Sequence, residues 1–140
     1  MFKHILIGVK FTETCRKTLQ TCVKLSKIHD SDLNILHVLD YRLKNLDEED
    51  PELKKAIADA HSLFDSRLKP LTSGVRNVTF QCFPGDPSMA LCRTAREIKP
   101  DLIMIACHQN ADEEPLGRIN YVGSTILENA PCPVLMIPLT

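Results

Sequence analysis

Three places in the sequence carry residues whose types could act on a ligand. Gly123-Ser124-Thr125 opens a short apolar stretch with helical character from about Val122 to Asn129. A glycine there lets backbone N–H groups approach an anion, and a helix N-terminus adds donors and a favourable dipole. The same residues read equally well as a helix entrance kept small for close packing. Lys10 follows an aliphatic run and brings an ammonium that could meet a phosphate. His108 follows a second aliphatic run, but a single histidine with no partner at metal-ligand spacing reads as a polar loop residue.

Other reactive types do not assemble into a motif. His4, His29, His37 and His61 are scattered, and the order of residues shows no Ser-His-Asp or Cys-His pairing. Cys15, Cys22, Cys82, Cys92, Cys107 and Cys132 sit among apolar neighbours without a Cys-x-x-Cys pair, so most of them read as small core residues. The acidic run Asp47-Glu48-Glu49-Asp50 ahead of Pro51 reads as a solvated helix entrance, since no second cluster at ligand spacing accompanies it. We therefore assign no catalytic residue and no metal site.

The elements that must position these residues follow from hydrophobic period. Lys3 to Val9, Leu33 to Leu39 and Asp101 to Ala106 are short and nearly continuously apolar, as strands buried on both faces are, and the apolar Val134 to Ile137 reads as the last strand, a hydrophobic sheet edge. Val75 to Phe83 alternates instead, which predicts an edge strand with one wetter face. Between them, helical spacing appears in Glu13 to Ile28 (Cys15, Leu19, Cys22, Val23, Ile28), in Pro51 to about Leu68, and after Asp86-Pro87 (Met89, Leu91, Cys92, Ala95, Ile98). Five strands alternating with four helices predict an α/β fold: a single doubly wound parallel sheet with helices on both faces. Ligands of such sheets bind beyond the strands' C-terminal ends, at the point where strand order reverses.

The 140 residues suit one domain. Seventeen Lys and Arg against eighteen Asp and Glu give a net charge of −1, which provides no basic field for nucleic acid. The longest apolar runs fall far short of the roughly 20 residues that span a bilayer. With no cleavage-site pattern after Phe2 to Val9, the expected location is cytoplasmic, with neither membrane nor nucleic acid as partner.

Several phrases together resemble the universal stress protein family: Ile5-Leu6-Ile7-Gly8-Val9, Leu36-His37-Val38, Gly85-Asp86-Pro87, Asp101-Leu102-Ile103-Met104, and Gly123-Ser124 before Ala130-Pro131-Cys132-Pro133-Val134-Leu135. The resemblance covers essentially all of residues 1–140, in order, as one domain. It implies the strand order 3-2-1-4-5 of the universal stress protein and adenine nucleotide alpha hydrolase-like fold. It also implies a nucleotide site at the positions of Val9, Lys10, Val38, Ala106, His108, Gly123, Ser124 and Thr125.

ATP-binding members carry an Asp after the first strand and a loop of the form Gly-x-x-Gly-x9-Gly-Ser/Thr around the phosphates. Here Lys10 stands in place of that Asp, and Ala106 and Gln109 in place of the two loop glycines, while Val38, Gly123, Ser124 and Thr125 match. Counting back from Gly123 by the family spacing reaches Glu113 and Asn110, so the loop is longer by about four residues. The extra stretch brings Asp112, Glu113 and Glu114. The expectation is a non-catalytic stress-response protein, a homodimer through its C-terminal strand, with no cofactor and weak or no ATP binding. The alternative is an ATP-binding regulator that uses the loop after strand four and the Gly123-Ser124 helix start.

Overall fold

A computed structural model describes residues 1–108 and 121–139. Its strands are β1 (His4–Gly8), β2 (Asp32–Leu39), β3 (Asn77–Pro84), β4 (Leu102–His108) and β5 (Val134–Leu139). Its helices are α1 (Glu13–His29), α2 (Pro51–Leu63), α3 (Pro87–Ile98) and α4 (Tyr121–Asn129). The strands form one parallel sheet in the order β3-β2-β1-β4-β5, as expected. Among the described residues no helix is long and apolar enough to cross a membrane.

The continuous apolar runs serve two cores at once, because successive strand residues point to opposite faces. Ile5 and Ile7 of β1 with Leu102 and Met104 of β4 meet Leu19, Cys22 and Val23 of α1 on one face. Leu6 of β1 with Ile103 and Ile105 of β4 meet Leu91, Cys92 and Ala95 of α3 and Ile126 of α4 on the other. The alternating β3 lies at the sheet edge, with Val78 and Phe80 turned to the first core and Thr79 and Gln81 exposed. Cys15, Cys22 and Cys92 are buried, as small core residues should be, whereas Cys82 and Cys132 are half-buried. Burial pushes the Cys22 thiol up to about 12, so it stays protonated and inert.

Four expectations need correction. Ile28 is 76% exposed; nine positions past Leu19, it projects about 180° away from the buried stripe. Met89 is 52% exposed; two positions before Leu91 leaves it about 160° off that residue's face. The second helix loses α geometry at Leu63 and continues as a π turn, Phe64–Leu68, then a 3-10 turn, Lys69–Thr72. The wider turn brings both Phe64 and Leu68 inward, and the Phe64 ring stacks on Phe80 with centroids 4.3 Å apart. Val75 precedes β3 because the chain is still turning: Gly74 has φ +88°, and Val75 N–H donates to the Thr72 carbonyl at 3.1 Å.

Helix starts follow the sequence signals. Asp86 caps α3 by accepting from Met89 N–H at 3.1 Å, with Pro87 in the first turn. The Ser88 hydroxyl, donating at 2.7 Å, and the Met89 N–H hold the Asp86 carboxyl below its ordinary range. Because its folded pKa is depressed, this contribution is full above the unfolded value and is lost as pH falls through the folded one. Asp86→Ala is expected to cost about 1 kcal/mol at pH 7. The gap to wild type should close below about pH 4, which urea melts at both pH values will check.

Candidate functional site

The strand order reverses between β1 and β4, and there a cavity of about 120 Å³ opens beyond their C-terminal ends. Gly8, Val9 and Lys10 line it from the end of β1, Leu36 and Val38 from β2, and Ile105 and Ala106 from β4. Cys15 in the first turn of α1, Pro87 and Leu91 of α3 and Ile126 of α4 complete the wall.

Local bonding fixes the β1 side of this cavity. Val9 N–H donates to the Leu36 carbonyl at 2.9 Å, extending the β1–β2 pairing by one residue. Its carbonyl accepts from His37 Nδ1 at 2.9 Å. A carbonyl can only accept, so this contact places the ring proton on Nδ1. The His37 ring in turn lies 4.6 Å from that of Phe11, fastening the segment that carries Lys10. Beyond it, Thr12 caps α1 by accepting from Cys15 N–H at 3.3 Å.

The cavity brings together four of the eight positions singled out in the sequence: Val9, buried; Val38 and Ala106, half-buried; and Lys10, exposed. Gly123 is buried and Ser124 and Thr125 are half-buried near the start of α4, but Ile126 is the α4 residue that reaches the cavity wall. His108 ends β4, paired in register with Leu139. Gln109, Asn110 and the carboxylates Asp112, Glu113 and Glu114 lie outside the described residues.

The positions that sequence reasoning missed were Gly8, Cys15, Leu36, Pro87, Leu91, Ile105 and Ile126. A signal existed for two of them, because Leu36 lies two residues before Val38 and shares its face of β2, while Pro87 belongs to the Gly85-Asp86-Pro87 turn. Nothing in strand or helix period could assign Leu91 or Ile126, since each arrives from a separate helix.

The walls are aliphatic, and Lys10 is the charged residue among the described lining. The nearby Asp86 carboxylate is committed to capping α3. Beyond β2, Asp40 is held low by Arg42, whose guanidinium approaches to 2.7 Å. Among the described residues no group of three His, Cys, Asp or Glu side chains could hold a metal. Apart from Lys10 and Cys15, the described lining offers only hydrocarbon and backbone. Such a surface has the chemistry to meet an apolar body, with one positive charge beside it.

Comparison with known proteins agrees with this architecture. Residues 1–138 match the family model described as "Universal stress protein family". Universal stress protein Sll1654 of Synechocystis sp. is 28% identical over 138 residues, covering 99% of this chain and 87% of the relative. The solved hypothetical protein MJ0577 superposes with a TM-score of 0.80 at 23% identity, over 100% of this chain and 98% of the other. A universal stress protein from Archaeoglobus fulgidus, solved in complex with dAMP, superposes with a TM-score of 0.62 at 16% identity, over 97% and 98% of the two chains.

Proposed function

The chain belongs to the universal stress protein family, and on that premise we propose that it is a non-catalytic, single-domain member that acts as a homodimer and binds ATP weakly or not at all. The observation that carries the ATP reading is the lining of the switch-point cavity. Lys10 and Ala106 line it, at the positions where the family resemblance implies an Asp and a Gly in ATP-binding members. An ammonium cannot accept the hydrogen bond that a carboxylate accepts, and a methyl fills space that a glycine leaves for a phosphate. A direct test is to denature the purified protein and measure released nucleotide by chromatography. The expected result is far less than one nucleotide per chain, and a stoichiometric amount of ATP would defeat the reading.

A second reading, an ATP-binding regulator, is favoured by one observation. Gly123 is buried near the start of α4, where a helix N-terminus can take an anion, and the Archaeoglobus relative of the same fold was solved with dAMP.

The dimer reading is supported by the β5 edge. Leu135 on β5 and Leu127 on α4 are 40% and 45% exposed, and an uncovered apolar edge strand invites pairing with another strand. Pro138 has no N–H to donate and would limit further strand addition. Met136 packs into the second core, so Leu135 is the cleaner probe. Leu135→Lys is expected to turn a dimer into a monomer in light scattering at micromolar concentration with little change in the urea midpoint. A wild-type monomer would remove the proposal.

A further inference from the structure

Two thiols converge on the second core, one from a helix and one from the turn that leads into β5. Cys92 of α3 is fully buried in that core, and the half-buried Cys132 packs against it. Backbone bonds fix how they approach. The Ile126 carbonyl, in the last turn of α4, accepts from Ala130 N–H at 2.8 Å and also faces Cys92 Sγ at 4.0 Å. The Cys92 thiol therefore stands where the chain leaves α4, two residues ahead of Cys132. On the other side of Cys132, the Pro133 carbonyl accepts from Ile103 N–H at 3.0 Å. Pro131 and Pro133 flank Cys132, and a residue before proline is biased to extended backbone, so few directions remain open to its side chain.

From this arrangement we propose that Cys92 and Cys132 form an oxidation site, a dithiol that a peroxide closes to an intrachain disulfide joining α3 to the turn before β5. Cys132 is the member of the pair that solvent reaches, so it reacts first. Its thiolate sulfur attacks one peroxide oxygen, the O–O bond breaks, and the released hydroxide takes a proton and leaves as water. The sulfenic acid then meets Cys92, whose sulfur attacks the sulfenic sulfur. The S–O bond breaks, the S–S bond forms, and the departing hydroxide takes the Cys92 proton and leaves as a second water. The two sulfurs lose two electrons, and the peroxide gains them.

The surroundings set the speed. Burial pushes both thiols up; the Asp101 charge adds to the rise at Cys132, while Arg96 offsets part of it at Cys92. Thiolate is scarce at neutral pH, so closure is slow and quickens as pH rises. Such a pair registers sustained oxidant and not a brief pulse, and exchange with a small thiol reopens it. The other half-buried thiol, Cys82, lies on β3 at the opposite edge of the sheet from β5 and serves as an internal comparison.

The test is to treat the reduced full chain with hydrogen peroxide, block remaining thiols with iodoacetamide, and map peptides by mass without reduction. The dominant product is expected to be a linked pair of peptides carrying Cys92 and Cys132, lighter by two hydrogens and restored by dithiothreitol. One pH unit upward from neutral should speed its formation by up to about tenfold, the rise in thiolate fraction. Cys92→Ala should leave a sulfenic acid on Cys132 that dimedone traps, and Cys132→Ser should leave Cys92 reduced. Should Cys92→Ala fail to fold, the wild-type map and Cys132→Ser at its half-buried position still decide. Oxidation of Cys82 while Cys92 and Cys132 stay reduced, sulfinic acid accumulating on Cys132 beside an unmodified Cys92, Cys132 bridges between two chains, or oxidation of Cys92 that persists in Cys132→Ser overturns the proposal.

Discussion

Ile103→Ala is expected to destabilise the protein by about 2–5 kcal/mol. The side chain is fully buried in the second core, on a strand flanked by β1 and β5. Truncation removes three carbons from a site walled by Leu6, Leu91 and Ile126, residues held by a strand and two separate helices. Those walls cannot collapse together without disturbing the sheet register, so most of the cavity should persist. Ile7→Ala should cost a similar amount for a different reason. Ile7 is also fully buried, but it faces the first core, under Leu19 and Val23 of α1. The pair thus probes the two layers separately, although their strands are neighbours through Leu6↔Ile103 and Ile7↔Met104. Urea melts should show a lowered midpoint at nearly unchanged slope. A shift worth only a few tenths of a kcal/mol for either variant would show that its layer is poorly packed.

The same alternation explains why the fold could be read from the sequence and why the site could be read only in part. Ile5 to Val9 and Leu102 to Ala106 are apolar at consecutive positions, the pattern of a strand covered on both faces, and these two are the adjacent central strands. Val78, Phe80 and Cys82 alternate with polar residues, and that strand is one of the two edges. These are local periodicities, and one window of sequence contains them. Ile28 and Met89 are apolar by type but sit off the buried stripe in angular position, so residue type alone does not place them. The π turn at Phe64–Leu68 had no local signature; packing of Phe64 on Phe80 rewards it, and that contact joins residues far apart in the chain. The cavity is the extreme case. Val9, Lys10, Val38 and Ala106 were reachable through strand ends, whereas Leu91 and Ile126 become neighbours of Val38 only after α3 and α4 have docked.

The dissociation constant for Mg-ATP is expected to lie well above the low micromolar range, and two residues of the cavity account for most of the lost affinity. Lys10 replaces a carboxylate acceptor, and losing a hydrogen bond to a charged group is worth about 1.5–3 kcal/mol. Ala106 acts differently from what its sequence position suggests. A residue standing for a glycine invites the expectation of a strained backbone, yet the non-glycine residues at positive φ among those described are Asp30 and Lys99, both helix C-caps. Ala106 lies within β4, in register with Ile137. Its effect is therefore occupation of space: the methyl stands on the cavity wall where backbone would otherwise be open to a phosphate. Each 1.4 kcal/mol is tenfold in affinity, so the two together can move micromolar binding toward millimolar. The converse provides the sharper measurement. Lys10→Asp with Ala106→Gly should tighten Mg-ATP binding by at least about tenfold in isothermal titration. Wild-type binding in the low micromolar range that Gly123→Val abolishes would show instead that the start of α4 holds the phosphates without help from either position.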